Sequence, residues 1–134
     1  MTRRARWVRH DESKVPLTIF GGPASVVDPR TWTTYERAAA SSVGAGFGVV
    51  LGGGLGCIDL DNCIAHGRIA PWAQAIIDEH RNEAVLIERS MSGAGIHVFL
   101  PMAEARGRRI VDGERHIEIY SRERYIAVTG DRIA

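Results

Sequence analysis

The sequence predicts an α+β fold, a largely antiparallel, mixed sheet packed with helices. Three observations predict it. Short apolar runs recur along the chain, several alternating with polar residues at the two-residue period of strands. Helical spacing appears in only two well-separated stretches. Gly, Ser, Asn and Pro fall between the runs, where turns are needed. The chain has 134 residues, of which 45% are hydrophobic and 25% charged. That suits one domain with a real core and needs no disulfide or metal staple.

From the N-terminus to about Gly22 the pieces Trp7-Val8 and Pro16 to Phe20 read as strand-like or irregular, closed by Gly21-Gly22-Pro23. A helix follows. Asp28-Pro29 can open it, and Thr33-Thr34-Tyr35-Glu36 matches a capping box one turn later. Trp32, Tyr35, Ala39 and Val43 give it an apolar face, and Gly44 and Gly46 stop it. Phe47 to Leu51 and Cys57 to Asp61 read as two strands of a hairpin across Gly52 to Gly56. Pro71-Trp72 starts the second helix, with Ala73, Ile76, Ile77 and His80 on its buried side. Val85 to Glu88, Ile96 to Leu100 and His116 to Tyr120 are further strands. Arg124 to Val128 is expected to pair with the last of these across Ser121-Arg122-Glu123. Ala105 to Arg109 is the expected mobile loop.

Composition excludes some classes. No apolar run is long enough to span a bilayer, and no apolar segment follows the basic Met1-Thr2-Arg3-Arg4, so a cytoplasmic protein is expected. The net charge of +1 favours no partner. Sixteen of the seventeen basic residues are Arg, which suits bidentate phosphate contacts and equally reflects GC-rich codons. Cys57 and Cys63 read as a reduced pair, without zinc-ligand spacing.

Three segments carry chemistry. In Cys57-Ile58-Asp59-Leu60-Asp61, Ile58 and Leu60 can enter a core while Asp59 and Asp61 share the other face. Their Cα atoms would lie roughly 6.5 Å apart, close enough to grip a divalent cation; the plain alternative is a solvated strand end. Glu88-Arg89-Ser90-Met91-Ser92-Gly93-Ala94-Gly95-Ile96-His97 is strand, Ser/Gly loop, strand. Its glycine amides and serine hydroxyls could cradle an anion, and His97 could donate to a phosphate; the alternative is a hairpin loop with a surface histidine. The loop lacks the Gly-Lys-Ser/Thr of a Walker site. In His116-Ile117-Glu118-Ile119-Tyr120, Glu118 could join the aspartates if the strands are neighbours, or lie on a polar outer face. The run Gly52 to Gly56 opens no helix and reads as a turn.

Taken together, the order and spacing of these segments resembles the bifunctional DNA primase/polymerase domain of phage and plasmid replication proteins, within the archaeo-eukaryotic primase superfamily. The resemblance covers most of the chain. Lys14-Val15-Pro16 resembles that family's early Lys-x-Pro, and Asp28-Pro29-Arg30-Thr31-Trp32 its Asp-Pro-x-Thr-Trp helix start. Gly46-Phe47-Gly48-Val49-Val50 resembles its first central strand. Glu118-Ile119-Tyr120 and Arg124 to Gly130 resemble its closing hairpin. The resemblance implies an archaeo-eukaryotic primase-like (RRM-like) catalytic core over residues 1–134, and template-dependent addition of nucleotides by a two-metal mechanism in phage or plasmid DNA replication. It implies that Asp59, Asp61 and Glu118 are the catalytic acids and hold Mg²⁺ or Mn²⁺. It implies that Ser90, Ser92, Gly93, Gly95 and His97 bind the triphosphate, with Arg124 assisting. The implied partners are deoxynucleoside or nucleoside triphosphates, a single-stranded or primed DNA template, and a helicase supplied by a C-terminal region or a separate chain. The family's third acid is often Asp, and Glu118 is the longer variant. No zinc module, helicase domain or C-terminal extension accompanies these motifs, which leads to the expectation of a minimal or truncated core.

Two other classes compete. A metal-dependent nuclease or phosphoesterase would use the same acids with a base, Lys or His, close to them. A non-catalytic module would bind nucleotide or single-stranded DNA without turnover and without needing metal.

Overall fold

The computed structural model describes residues 1–133 and is an α+β fold with few helices. In chain order its elements are β1 (Trp7–His10), β2 (Pro16–Leu17), a 3₁₀ turn (Pro29–Thr31), α1 (Tyr35–Ala40), β3 (Gly46–Val50), β4 (Leu55–Leu60), β5 (Ile64–Ala65), β6 (Arg68–Ile69), α2 (Pro71–His80), β7 (Leu86–Arg89), β8 (Ile96–Pro101), β9 (Arg108–Asp112), β10 (Arg115–Tyr120) and β11 (Tyr125–Val128). Every ladder among the described residues is antiparallel, so the sheets are not mixed as expected. No helix among them is long and apolar enough to cross a membrane.

The chain divides into two compact units. The first comprises Met1–Leu51 with Glu123–Val128 and holds a four-stranded sheet ordered β11-β3-β1-β2. Trp7 is fully buried, with the Tyr35 ring edge-on at 5.0 Å. The buried Arg9 donates to the Ala38 carbonyl near the end of α1 and to the Val43 carbonyl beyond it. The expected first helix is split and shortened. Asp28 caps only the 3₁₀ turn, through the Arg30 amide. Thr33 is drawn into a backbone bridge with Trp7, so Thr34 caps α1 instead, accepting from the Arg37 amide. The buried position of α1 is therefore Ala38, while Ala39 is exposed.

The second unit comprises Gly52–Arg122 and the segment from Thr129 onward. Its five-stranded sheet is ordered β7-β8-β4-β10-β9. One face packs Ile58, Leu60, Ile87, Ile96, Val98 and Ile117 against Ala73 and Ile77 of α2. Each such buried side chain contributes about 1.5–3 kcal/mol of gross hydrophobic free energy. That packing fixes the register: a one-residue slip would turn each apolar set away from the helix.

Two expected hairpins are not formed. β3 pairs with β1 and β11, and β4 with β8 and β10, so Gly52 to Gly54 carry the chain from one sheet to the other. Their φ angles of 128°, 61° and 100° favour glycine, and a Gly52–Leu55 bridge closes the bend. β11 likewise pairs with β3 and not with β10. β10 takes β9 as its hairpin partner across Gly113-Glu114, so Arg108 and Arg109 of the expected mobile loop are strand. The preceding Ala105 is also anchored, its amide donating to the buried Ser121 hydroxyl at 2.8 Å. The short β5–β6 hairpin was not expected.

Candidate functional site

The face of the five-stranded sheet opposite α2 carries a row of charged side chains. Successive strands place Glu88 opposite His97, His97 opposite Asp59, Asp59 opposite Glu118, and Glu118 opposite Arg109. Because side chains alternate along a strand, burying Ile58, Leu60, Ile87, Val98 and Ile117 against α2 forces the row onto the other face. Asp61 follows β4 directly. Its amide donates to the His116 carbonyl at 2.9 Å, which keeps it in line with the ladder. Asp59, Asp61 and Glu118 thus come together, each offering a carboxylate oxygen, and these oxygens lie within 4.8 Å of one another.

Like charges this close are costly. The Asp61 carboxyl is held above the ordinary aspartate range, first by partial burial and then by the Glu118 charge. His116, His97 and Arg109 offset part of this. The neighbouring nitrogens sit at a distance: His97 Nε2 is 3.9 Å from Asp59 Oδ1, and Arg109 Nε is 3.9 Å from Glu118 Oε1. The Arg109 side chain is mostly exposed, so its attraction is screened.

His97 is 6% exposed and lies edge-on to Phe99. Its Nδ1 is 2.9 Å from Oε2 of Glu88, a carboxylate with no exposed surface. His97 is therefore neither a surface residue nor a core filler, but a link between a buried acid and the acid cluster.

The loop between β7 and β8 is closed by its own groups. Ser90 and Ser92 hydroxyls are 3.0 Å apart, the Gly95 amide donates to Ser90 Oγ, and the Ala94 amide to Ser92 Oγ. The Gly93 amide donates to the Ser90 carbonyl. Both glycine amides are thus engaged inside the loop, and of the two serine hydroxyl hydrogens one remains to donate outward. Gly95 is required by packing, since a Cβ there would lie 2.9 Å from the Leu60 carbonyl oxygen. Gly93 has φ +76° with open space around it. The Ala94 carbonyl accepts from the amides of Cys63 and Ile64, which ties the loop to the chain just beyond Asp61.

Arg124 lies in the other unit, exposed, just before β11, with its carbonyl accepting from the Leu51 amide. Both cysteines are buried free thiols. Burial raises Cys57 well above the usual thiol value and Cys63 to about 11.

Sequence reasoning missed Glu88 and Arg109 as members of the row. The signal for Glu88 was present, since a strand that buries Ile87 must turn Glu88 toward the face of His97. Arg109 was hidden by reading its strand as a loop.

A scan against protein-family models gives no match to this chain, and a search of curated proteins gives none either.

Proposed function

We propose that the chain is a metal-dependent nucleotidyltransferase of the primase/polymerase kind, extending a 3′ end with nucleoside triphosphates on a DNA template. One observation carries the reading: carboxylates far apart in sequence, Asp59 and Asp61 against Glu118, offer oxygens within 4.8 Å of one another. A Ser/Gly loop and a buried histidine flank them. The donor set is all oxygen and negatively charged, and Asp61 resists ionisation beside Glu118, so the site fits a hard divalent cation such as Mg²⁺ or Mn²⁺. When bound, such cations supply charge neutralisation and Lewis acidity. Asp59, Asp61 and Glu118 would hold them. The remaining hydroxyl hydrogen of the Ser90–Ser92 pair orients the polyphosphate beside the acids, and His97 presents Nε2 to the same cluster. Arg109, at the end of the row on an exposed edge strand, is a further guanidinium for a phosphate. Arg124 remains a further phosphate candidate.

The test is primer extension with Asp59→Ala combined with Asp61→Ala. Extension is lost while circular dichroism and the melting transition remain those of a folded chain. Retained extension would reject the assignment.

One observation favours a second reading, a metal-dependent phosphoesterase. That chemistry needs a base beside the acids, and His97 Nε2 stands 3.9 Å from Asp59. Labelled DNA incubated with Mn²⁺ and no nucleotides separates the two: shortened products favour the phosphoesterase, unchanged DNA the nucleotidyltransferase.

A further inference from the structure

We infer that Glu88 is the positioning residue of this site, fixing the His97 ring so that Nδ1 keeps its proton and Nε2 faces the acid cluster. A carboxylate with no exposed surface is tolerated only when its oxygens are fully engaged. Those of Glu88 are. Oε1 accepts from the amides of Thr129 and Gly130 at 3.2 and 3.0 Å, and Oε2 accepts from the Thr129 amide at 3.1 Å and meets His97 Nδ1 at 2.9 Å. With both oxygens held by backbone N–H groups, the carboxylate cannot rotate and can only accept. The histidine nitrogen facing it therefore carries the hydrogen.

The clamp is itself anchored. The segment from Thr129 runs along β7, with Thr129 Oγ1 donating to the Arg89 carbonyl, the Arg89 amide to the Asp131 carbonyl and the Ile133 amide to the Ile87 carbonyl. The ring is thus locked from the side away from the acids, the arrangement by which an outer carboxylate sets the tautomer of a functional histidine. What Nε2 does at the acid cluster rests on the proposed function; the locking itself does not.

The experiment uses the full chain labelled with ¹⁵N, with the His97 ring identified by its loss in His97→Ala. Long-range ¹H–¹⁵N spectra are expected to show Nδ1 protonated. Glu88→Gln can keep its carbonyl oxygen on the Thr129 and Gly130 amides and turn its NH₂ toward the ring, which moves the hydrogen to Nε2. Affinity for Mn²⁺, read by calorimetry, then falls about 10- to 100-fold, because Nε2 turns a hydrogen instead of a lone pair toward the acid cluster. In a His97→Ala background the same substitution costs nothing further, because it acts through the ring. A wild-type ring with Nδ1 bare overturns the inference, as do losses from Glu88→Gln and His97→Ala that multiply. If Glu88→Gln does not fold, the wild-type spectrum decides alone. A wild-type chain that binds neither Mn²⁺ nor nucleotide defeats the proposed function, while the ring spectrum still decides the role of Glu88.

Discussion

Replacing Asp61 by Asn should stabilise the metal-free chain near neutral pH and leave its stability unchanged in acid. The carboxylate oxygens of Asp59, Asp61 and Glu118 lie within 4.8 Å of one another. Two unit charges 4.8 Å apart repel by about 0.9 kcal/mol at the dielectric constant of water, and by about 3.5 kcal/mol at an effective constant of 20. Asp61 is exposed as a residue, so the lower figure applies. Partial burial and the Glu118 charge, offset in part by His116, His97 and Arg109, leave a net penalty on the order of 1 kcal/mol. The sign follows from the raised folded-state pKa. The ionised form is disfavoured in the fold, so the penalty is full above that pKa, shrinks as pH falls through it, and is gone below the unfolded value of about 3.9. Urea unfolding in chelator, near neutral pH and again at about pH 3, reads both limits. Added Mn²⁺ should reverse the order, because a cation bound to the folded state stabilises the wild type more than the variant. A variant no more stable than wild type at neutral pH, or a gain that persists in acid, would refute the argument.

Two further substitutions test the packing that builds the site. Gly95→Ala should cost about 1–3 kcal/mol in denaturant unfolding, because its Cβ would press on the Leu60 carbonyl and on Ser90 Oγ, both 2.9 Å away. Phe99→Ala, at a fully buried ring beside His97, should cost about 3–5 kcal/mol in the same measurement.

The side-chain alternation that places the acids was legible in the sequence. Ile58 and Leu60 on one strand, and Ile117 on another, are core residues, and that alone turns Asp59 and Glu118 to the opposite face. Which strands lie side by side was not legible. Adjacent strands at Gly52 to Gly56 and at Ser121 to Glu123 suggested hairpins, yet both connections pass between sheets. Local turn chemistry reports that the chain bends, and it does not report which edge receives the next strand. α1 shows the same limit at a smaller scale. Thr33, with Glu36 three residues on, satisfies the capping box that Thr34 does not, but a tertiary bridge to Trp7 claims it. The clamp on Glu88 was hidden for a third reason. Alternation from Ile87 turns Glu88 toward His97, but its partners on Thr129 and Gly130 lie about forty residues away, a pairing only the fold supplies.

The most direct test is a crystal soaked with Mn²⁺ and a deoxynucleoside triphosphate, read by the anomalous signal of manganese. The account predicts manganese between the carboxylates of Asp59, Asp61 and Glu118, with the phosphates against the Ser90–Gly95 loop. Manganese bound elsewhere, or a triphosphate that leaves those three carboxylates without metal, would contradict it.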